Sequence, residues 1–306
     1  MKLLLLLGVV LFSSCATRTP QTDALVKVHP DLPSKAKVQG VPFIAQTKNH
    51  CGPASLAMML EHASHPVNVD ELVSQMMTPK KEGTFQTDLI TATRRQGMLA
   101  VRVSDLQSIL KEISLGNPVL VFQNLGFESL PQWHYSVATG YNLDGPDIIF
   151  HSGSTKNDKS DMRFFERSFI LGGNWALVVL EPGKLSPTAN ELAHSEGAAG
   201  LEQTGKLLAA EKSYLAILEK WPKSLTALLG MGNVKFSQEE FKESEKYLIR
   251  AVIAHSQSAM AWHNLAIAQG RLKLTHAARE SSLKAMALAS LKDRAKYQES
   301  LKAWLR

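Results

Sequence analysis

Cysteine is scarce, with two in 306 residues at positions 15 and 51. Two cysteines cannot build the disulfide framework of a small secreted scaffold. Without a Cys-x-x-Cys pair they cannot build a zinc ribbon either. A bridge between them would tie an N-terminal arm to the turn before Cys51, which adds little stability. Excess charge is scarce too: 34 Lys and Arg against 28 Asp and Glu leave a net charge of +6. No run of five or six like charges occurs, and no aromatic–basic interleaving, which argues against a nucleic-acid-binding protein. Weak attraction to an anionic membrane or wall surface stays compatible with that balance. His62 and His65 lie near Asp70 and Glu71, but without ligand spacing, so no metal and no cofactor are expected. The apolar run at residues 3–12 is too short for a comfortable membrane span.

What is present suits a folded, exported chain. At 44% hydrophobic and 20% charged residues, the composition is globular, and the length allows two domains with separate cores. One basic residue, an apolar core and then small residues make residues 1–15 an export signal. Leu11-Phe12-Ser13-Ser14-Cys15 resembles a bacterial lipobox. That resemblance implies that Cys15 becomes the lipidated first residue of the mature chain. Ala16 in place of Asp implies the outer membrane, facing the periplasm. Residues 16–37 mix Thr, Pro, Ser and Lys with little periodicity and read as a tether.

The chain is organised around residues 41–60. An apolar strand, Val41–Ile44, runs into a polar turn with Gln46, and the turn closes on Cys51-Gly52-Pro53-Ala54 before an apolar helix to about His62. Gly52 permits the tight turn, and Pro53 suits a first helical turn. Cys51 is thus expected at a helix N-terminus, where unpaired N–H groups and the helix dipole favour a thiolate, the nucleophile of a cysteine hydrolase. Gln46 is placed to donate its amide N–H to an oxyanion. His50 is expected to be solvent-exposed.

Further helices are expected from an Asn68 or Asp70 cap to Met77, over Asp88–Gly97, and over Asp105–Ser114. Strands are expected at Val119–Gln123, from His134 to Tyr141, over Asp147–Gly153 and at Trp175–Leu180. Helices followed by antiparallel strands describe an α+β domain. The hairpin after His134 would hold its imidazole rigidly, as a general base requires. Trp133 and Trp175 read as core or cleft wall.

Four features together resemble the double-glycine, or bacteriocin-processing, cysteine peptidase family, a papain-like group. They are Gln46…Cys51-Gly-Pro-Ala, Gly83-Thr84, the Asn117-Pro118 strand entry, and His134-Tyr135-Ser136-Val137. The resemblance implies Cys51 as nucleophile, His134 as general base and acid, and Gln46 as oxyanion donor. The sequence departs from the family at the end of the strand after His134, where an orienting Asp is usual. Here that strand ends in His151-Ser152-Gly153. Ser152 is the nearest equivalent, with His151, Asp144 or Asp147 as other candidates, or loss of activity as the consequence. The double-glycine leader substrates belong mainly to domains fused to export transporters. No transporter segment is present here, so the resemblance carries the chemistry and not that substrate.

From about Ser186 onward there is no strand signal, and the chain repeats. Ala227–Asn233 matches Ala261–Ile267 at a spacing of 34, from position 228 to 262, with Ala210, Ser244 and Ala278 in register. This resembles tetratricopeptide repeats. There are two good units and a degenerate first one, with His194 where a large residue belongs, and a capping helix from Leu291 to Arg306. The expected domains are 1–15 signal peptide, 16–37 tether, 38–183 peptidase-like domain, 184–190 linker and 191–306 helical repeats. The expected function is lipid-anchored peptide-bond hydrolysis through Cys51 and His134, with the repeats recruiting a peptide or protein. The alternatives are an inactive peptide-binding scaffold lipoprotein and a related thiol acyl transfer.

Overall fold

The computed structural model describes residues 18–28, 31–47, 49–77 and 83–302. The expected signal peptide and Cys15 lie outside the described residues, as does the end of the last helix. In chain order come α1 (Pro20–Lys27), β1 (Lys35–Lys37), α2 (Cys51–His62), α3 (Val69–Met76), α4 (Gln86–Arg95), β2 (Leu99–Val103), α5 (Leu106–Ser114) and β3 (Val119–Asn124). Next are β4 (Trp133–Asn142), β5 (Asp147–Ser152), β6 (Thr155–Asp161), α6 (Met162–Leu171) and β7 (Ala176–Leu180). The described residues after β7 hold only helices. These are α7 (Glu191–Gln203), α8 (Leu207–Lys220), α9 (Leu225–Ser237), α10 (Phe241–Ala254), α11 (Ala259–Arg271), α12 (Thr275–Leu288) and α13 (Leu291–Lys302).

The strands form one antiparallel sheet in the order β2-β7-β3-β4-β5-β6, with β1 alongside β4. Every residue of α2 from Gly52 to Leu60 is buried. A helix apolar on all sides belongs in the middle of a core, and α2 packs against β4 there. Local chemistry sets the helix ends: Asn68 caps α3, Asp105 caps α5 and Asp161 caps α6. Gly97, at φ +76°, ends α4 in the left-handed conformation that glycine adopts freely.

Two expectations at the N-terminal side are corrected. Val41–Ile44 is not a strand. Val41 is buried and its carbonyl accepts from the His151 ring at 3.3 Å, so its apolar character reflects burial and not ladder pairing. The strand lies upstream instead, where Lys35–Lys37 pairs with Asn142–Gly140. Residues 18–37 are therefore no free tether. The buried Glu166 carboxylate accepts the backbone N–H groups of Gln21 at 3.0 Å and Thr22 at 2.8 Å, capping α1 from another element. Asp23 also pairs with Arg163 at 3.0 Å, but both are well exposed. Such a surface pair contributes about 0–1 kcal/mol, whereas each bond to a carboxylate contributes about 1.5–3 kcal/mol. Glu166 decides where α1 sits.

The sequence reading also passed over β2, β6 and α6. Strand β6, Thr-Lys-Asn-Asp-Lys-Ser-Asp, is a polar outer edge with no apolar alternation, the form that keeps a sheet edge from pairing with other chains.

Helices α7, α9 and α11 begin at residues 191, 225 and 259, and their partners α8, α10 and α12 at 207, 241 and 275, so both series step by 34. Ala210, Ser244 and Ala278 are fully buried between paired helices. The first helix packs against β2 and α4 of the preceding domain as well as against α8 and α9. A Cβ on Gly197 would lie 3.0 Å from the Ala100 carbonyl, and one on Gly200 would collide with the Arg94 side chain. His194 is buried there, its Nε2 accepting the Ser186 N–H at 2.9 Å. Beside it, buried Glu112 accepts from Thr188 Oγ1 at 2.6 Å, Asn117 Nδ2 at 2.7 Å and the Ser186 hydroxyl.

Glu166→Ala should cost about 3 kcal/mol or more, since it removes two charge-assisted hydrogen bonds at once. Limited proteolysis is the check: the segment around residues 20–28 becomes the first site of cleavage in the variant and resists it in the wild type.

Candidate active site

Cys51 is the first residue of α2. Asn49 ahead of it has φ 67°, and His50, the residue before the helix, turns its ring to Thr47 Oγ1 at 3.0 Å instead of capping. His50 is half-buried, not the exposed side chain expected. Gln46 ties the turn together. Its backbone N–H donates to the Gly153 carbonyl at 2.9 Å, and its Oε1 accepts from the Gly153 N–H at 2.9 Å. Its Nε2 donates to Ser55 Oγ at 3.0 Å and to the Tyr135 carbonyl at 3.3 Å. Both amide hydrogens thus already have partners.

His134 sits near the start of β4, and its Nε2 lies 2.8 Å from Ser152 Oγ at the end of β5. Of the candidates for the orienting position, Ser152 is the one that meets the ring. Asp144 pairs with Lys35 at 3.1 Å in the β4–β5 turn. Asp147 opens β5, about 17 Å of strand away from Ser152. His151 packs elsewhere, with its Nε2 on the Val41 carbonyl, its Nδ1 accepting the Asn157 N–H at 3.3 Å, and its ring edge-on to Phe43. Burial is the sole cause of the shift at His134, whose pKa lies below the ordinary 6.5.

Burial also dominates at Cys51, raising the thiol above the ordinary 9.0. The amides of Tyr135, Gly52 and Cys51 itself act in the opposite sense and offset this only in part. The expected helix-end stabilisation of a thiolate is therefore present but outweighed. Desolvation disfavours the charged form of both groups.

Cys51, His134 and Gln46 line one cleft of about 870 Å³. The α2 terminus and residues 83–86 supply part of its wall, and Phe122, Trp133 and Tyr135 of the sheet another. Gly172 and Gly173, after α6, complete it. A Cβ on Gly172 would lie 2.4 Å from the Phe122 carbonyl, so this close approach requires glycine. Elsewhere His62 meets the Gly116 carbonyl at 3.2 Å and His65 meets Gln96 at 3.2 Å. Among the described residues no three His, Cys, Asp or Glu groups come together as metal ligands, and no helix is long and apolar enough to cross a membrane.

Residues 38–176 match the family model described as Peptidase_C39 like family. Over these residues, less than half of the chain, the sequence is similar to that family. Solved structures similar to the chain include a Bacillus anthracis protein described as a C39-like peptidase, at 19% identity and a TM-score of 0.43, covering 50% of this chain and all of that one. The peptidase domain of Streptococcus ComA, a bifunctional ABC transporter involved in quorum sensing, is 20% identical with a TM-score of 0.37, covering 46% of this chain and 98% of its own. The first tetratricopeptide domain of Spaghetti (RPAP3), bound to an HSP90 peptide, is 15% identical with a TM-score of 0.34, covering 38% and 94%. No curated protein matches the sequence.

The fold is thus an α+β papain-like C39 domain with an antiparallel sheet, followed by an all-helical region. Within the C39-like domain, the Gly172-Gly173 wall and the part played by Tyr135 escaped the sequence reading. A glycine pair closing the amphipathic stretch Met162–Leu171 is a helix-stop signal that would have revealed α6 and its end.

The resting state has a direct readout. Iodoacetamide alkylation of Cys51 should keep accelerating as pH rises past 9.0, because thiolate appears only above the ordinary thiol value. A rate already level by about pH 6 would instead mean a preformed thiolate–imidazolium pair.

Proposed function

We propose that this chain is a cysteine peptidase, held to the outer membrane by a lipid on Cys15 and facing the periplasm, with its helical repeats recruiting a peptide or protein. What supports the reading is Cys51 and His134 sharing one cleft, with Ser152 Oγ 2.8 Å from His134 Nε2. For His134 to accept a proton from sulfur, Nε2 must keep its hydrogen and donate it to Ser152, leaving the Nδ1 lone pair free. The Cys51 sulfur then attacks the peptide carbonyl carbon, and its proton passes to Nδ1 as the C–S bond forms. The Cys51 N–H at the head of α2 meets the oxyanion. Gln46 joins by releasing the Tyr135 carbonyl, the longer of its two donor contacts. His134 returns the proton to the leaving amine as the C–N bond breaks, giving a thioester. Water, deprotonated by His134, attacks that thioester, and the acid product leaves as the thiol reforms.

A hydroxyl accepting from imidazole contributes about 1 kcal/mol, less than a carboxylate would. Ser152→Ala should therefore lower kcat about 5-fold, while Ser152→Asp moves the alkylation profile to lower pH. Cys51→Ala and His134→Ala should abolish hydrolysis of fluorogenic peptides. If wild type binds such peptides and cleaves none, the peptide-binding scaffold replaces the peptidase.

The repeats offer a shallow recess where Asn233 and Asn264 bond to each other at 3.0 Å. The anchor has a separate check: Cys15→Ser should move the protein from the membrane fraction to the soluble fraction, and an unchanged distribution would overturn it.

A further inference from the structure

The cleft has no charged side chain among its described lining residues, and two aromatic rings stand half-exposed within it. Phe85 is 47% exposed and Trp133 is 55% exposed, and they come from different elements. Trp133 stacks on Phe122 with centroids 5.2 Å apart, and Phe122 packs on Tyr135 at 4.6 Å. Phe85 follows Thr84, which lies against the α2 terminus: a Cβ on Gly52 would lie 2.9 Å from the Thr84 Cβ. One hydrogen bond joins these two parts of the wall, the Tyr135 hydroxyl donating to the Thr84 carbonyl at 3.1 Å.

We propose that Phe85 and Trp133 form a subsite for one large apolar side chain of the substrate peptide, beside the bond that Cys51 attacks, with Tyr135 as the positioning residue that sets its width. The proposal rests on the peptidase reading of the cleft. An aromatic or branched aliphatic side chain gains by leaving water between the two rings. A carboxylate or ammonium entering the same space loses its hydration and finds no counter-charge on the lining. The cleft volume is that of a ligand pocket, and the glycines at 172 and 173 line it without side chains of their own. Tyr135 acts through its hydroxyl, which fixes the backbone from which Phe85 projects.

The test uses the full chain and fluorescein-labelled peptides that differ at one position, carrying Phe, Leu, Ala, Gly, Asp or Lys. In the Cys51→Ala background, where binding is read without turnover, Phe and Leu peptides should bind about 10-fold tighter than Ala, and Asp and Lys peptides weakest. Adding Trp133→Ala should bring the Phe and Ala peptides to equal affinity. In active protein, Tyr135→Phe should raise KM for the Phe peptide several-fold, with kcat and Tm nearly unchanged, a split that general destabilisation would not produce. An Ala or Gly preference, or a Phe preference that survives Trp133→Ala with the fold intact by circular dichroism, overturns the subsite even if cleavage proceeds. A Trp133-dependent Phe preference without cleavage by wild type upholds the subsite and overturns the peptidase reading.

Discussion

The site depends on one side-chain amide. Gln46 belongs to an irregular stretch with no ladder of its own, yet it bonds to three separate parts of the domain: Gly153 after β5, Ser55 in α2 and Tyr135 in β4. Cys51 rides on the element that carries Ser55, His134 adjoins Tyr135, and Ser152 adjoins Gly153. Each of the proposed reacting or orienting residues is thus within a few positions of a Gln46 contact. An amide suits this position because it offers two donors and an acceptor without a charge that would need a partner inside the fold. The same economy limits Gln46 as an oxyanion donor, since its hydrogens are in use before a substrate arrives. The helix-end amide of Cys51 is then the donor that needs no rearrangement.

A second constraint joins the two regions. The first helix of the repeats packs on the next repeat through α9 and also on the sheet-edge strand β2. Gly197 and Gly200 let α7 approach β2 and the Arg94 side chain, where any larger residue would collide. His194 replaces a bulky apolar residue because its ring nitrogens serve the incoming linker, at the Ser186 N–H and the Asn190 carbonyl. The degeneracy of this repeat is the imprint of its neighbour. Glu112, buried and satisfied by three donors, fixes the linker on the peptidase side. The helical array therefore starts from a defined place on the α+β domain and not from a flexible joint.

How far the sequence could be read follows from which signals are local. The turn into α2, the caps at Asn68 and Asp105, the His134 hairpin and the 34-residue period are all short-range patterns, and each is where the sequence implies. Features that rest on distant partners were not legible. Glu166 capping α1 joins residues far apart in the chain, so residues 18–37, judged on composition, read as a tether. Strand β6 carries no apolar alternation because it is an outer edge, and Val41–Ile44 is an apolar run that meets the His151 ring and pairs with no strand. At the site, the residue types and their chain order pointed to the cleft. The balance of its electrostatics did not follow, because a helix terminus can be recognised in a sequence and the depth of burial around it cannot.

That balance gives Ser152 its meaning. Were the thiol already ionised, a carboxylate at position 152 would be the natural companion, holding the imidazolium that balances the thiolate. Burial instead favours uncharged forms at both Cys51 and His134. A carboxylate in that setting would itself be a partly buried charge, with no counter-ion until the imidazole took up a proton. A hydroxyl still accepts from the ring, more weakly, and adds no charge of its own. On the proposed chemistry, charge then appears only as the C–S bond forms, when the helix-end amide faces the oxyanion and the imidazolium lies beside it. Serine at this position gives up some stabilisation of the imidazolium in exchange for a site whose resting state has no buried charge to satisfy, which explains how a papain-like cleft can keep its geometry without the acid that usually completes it.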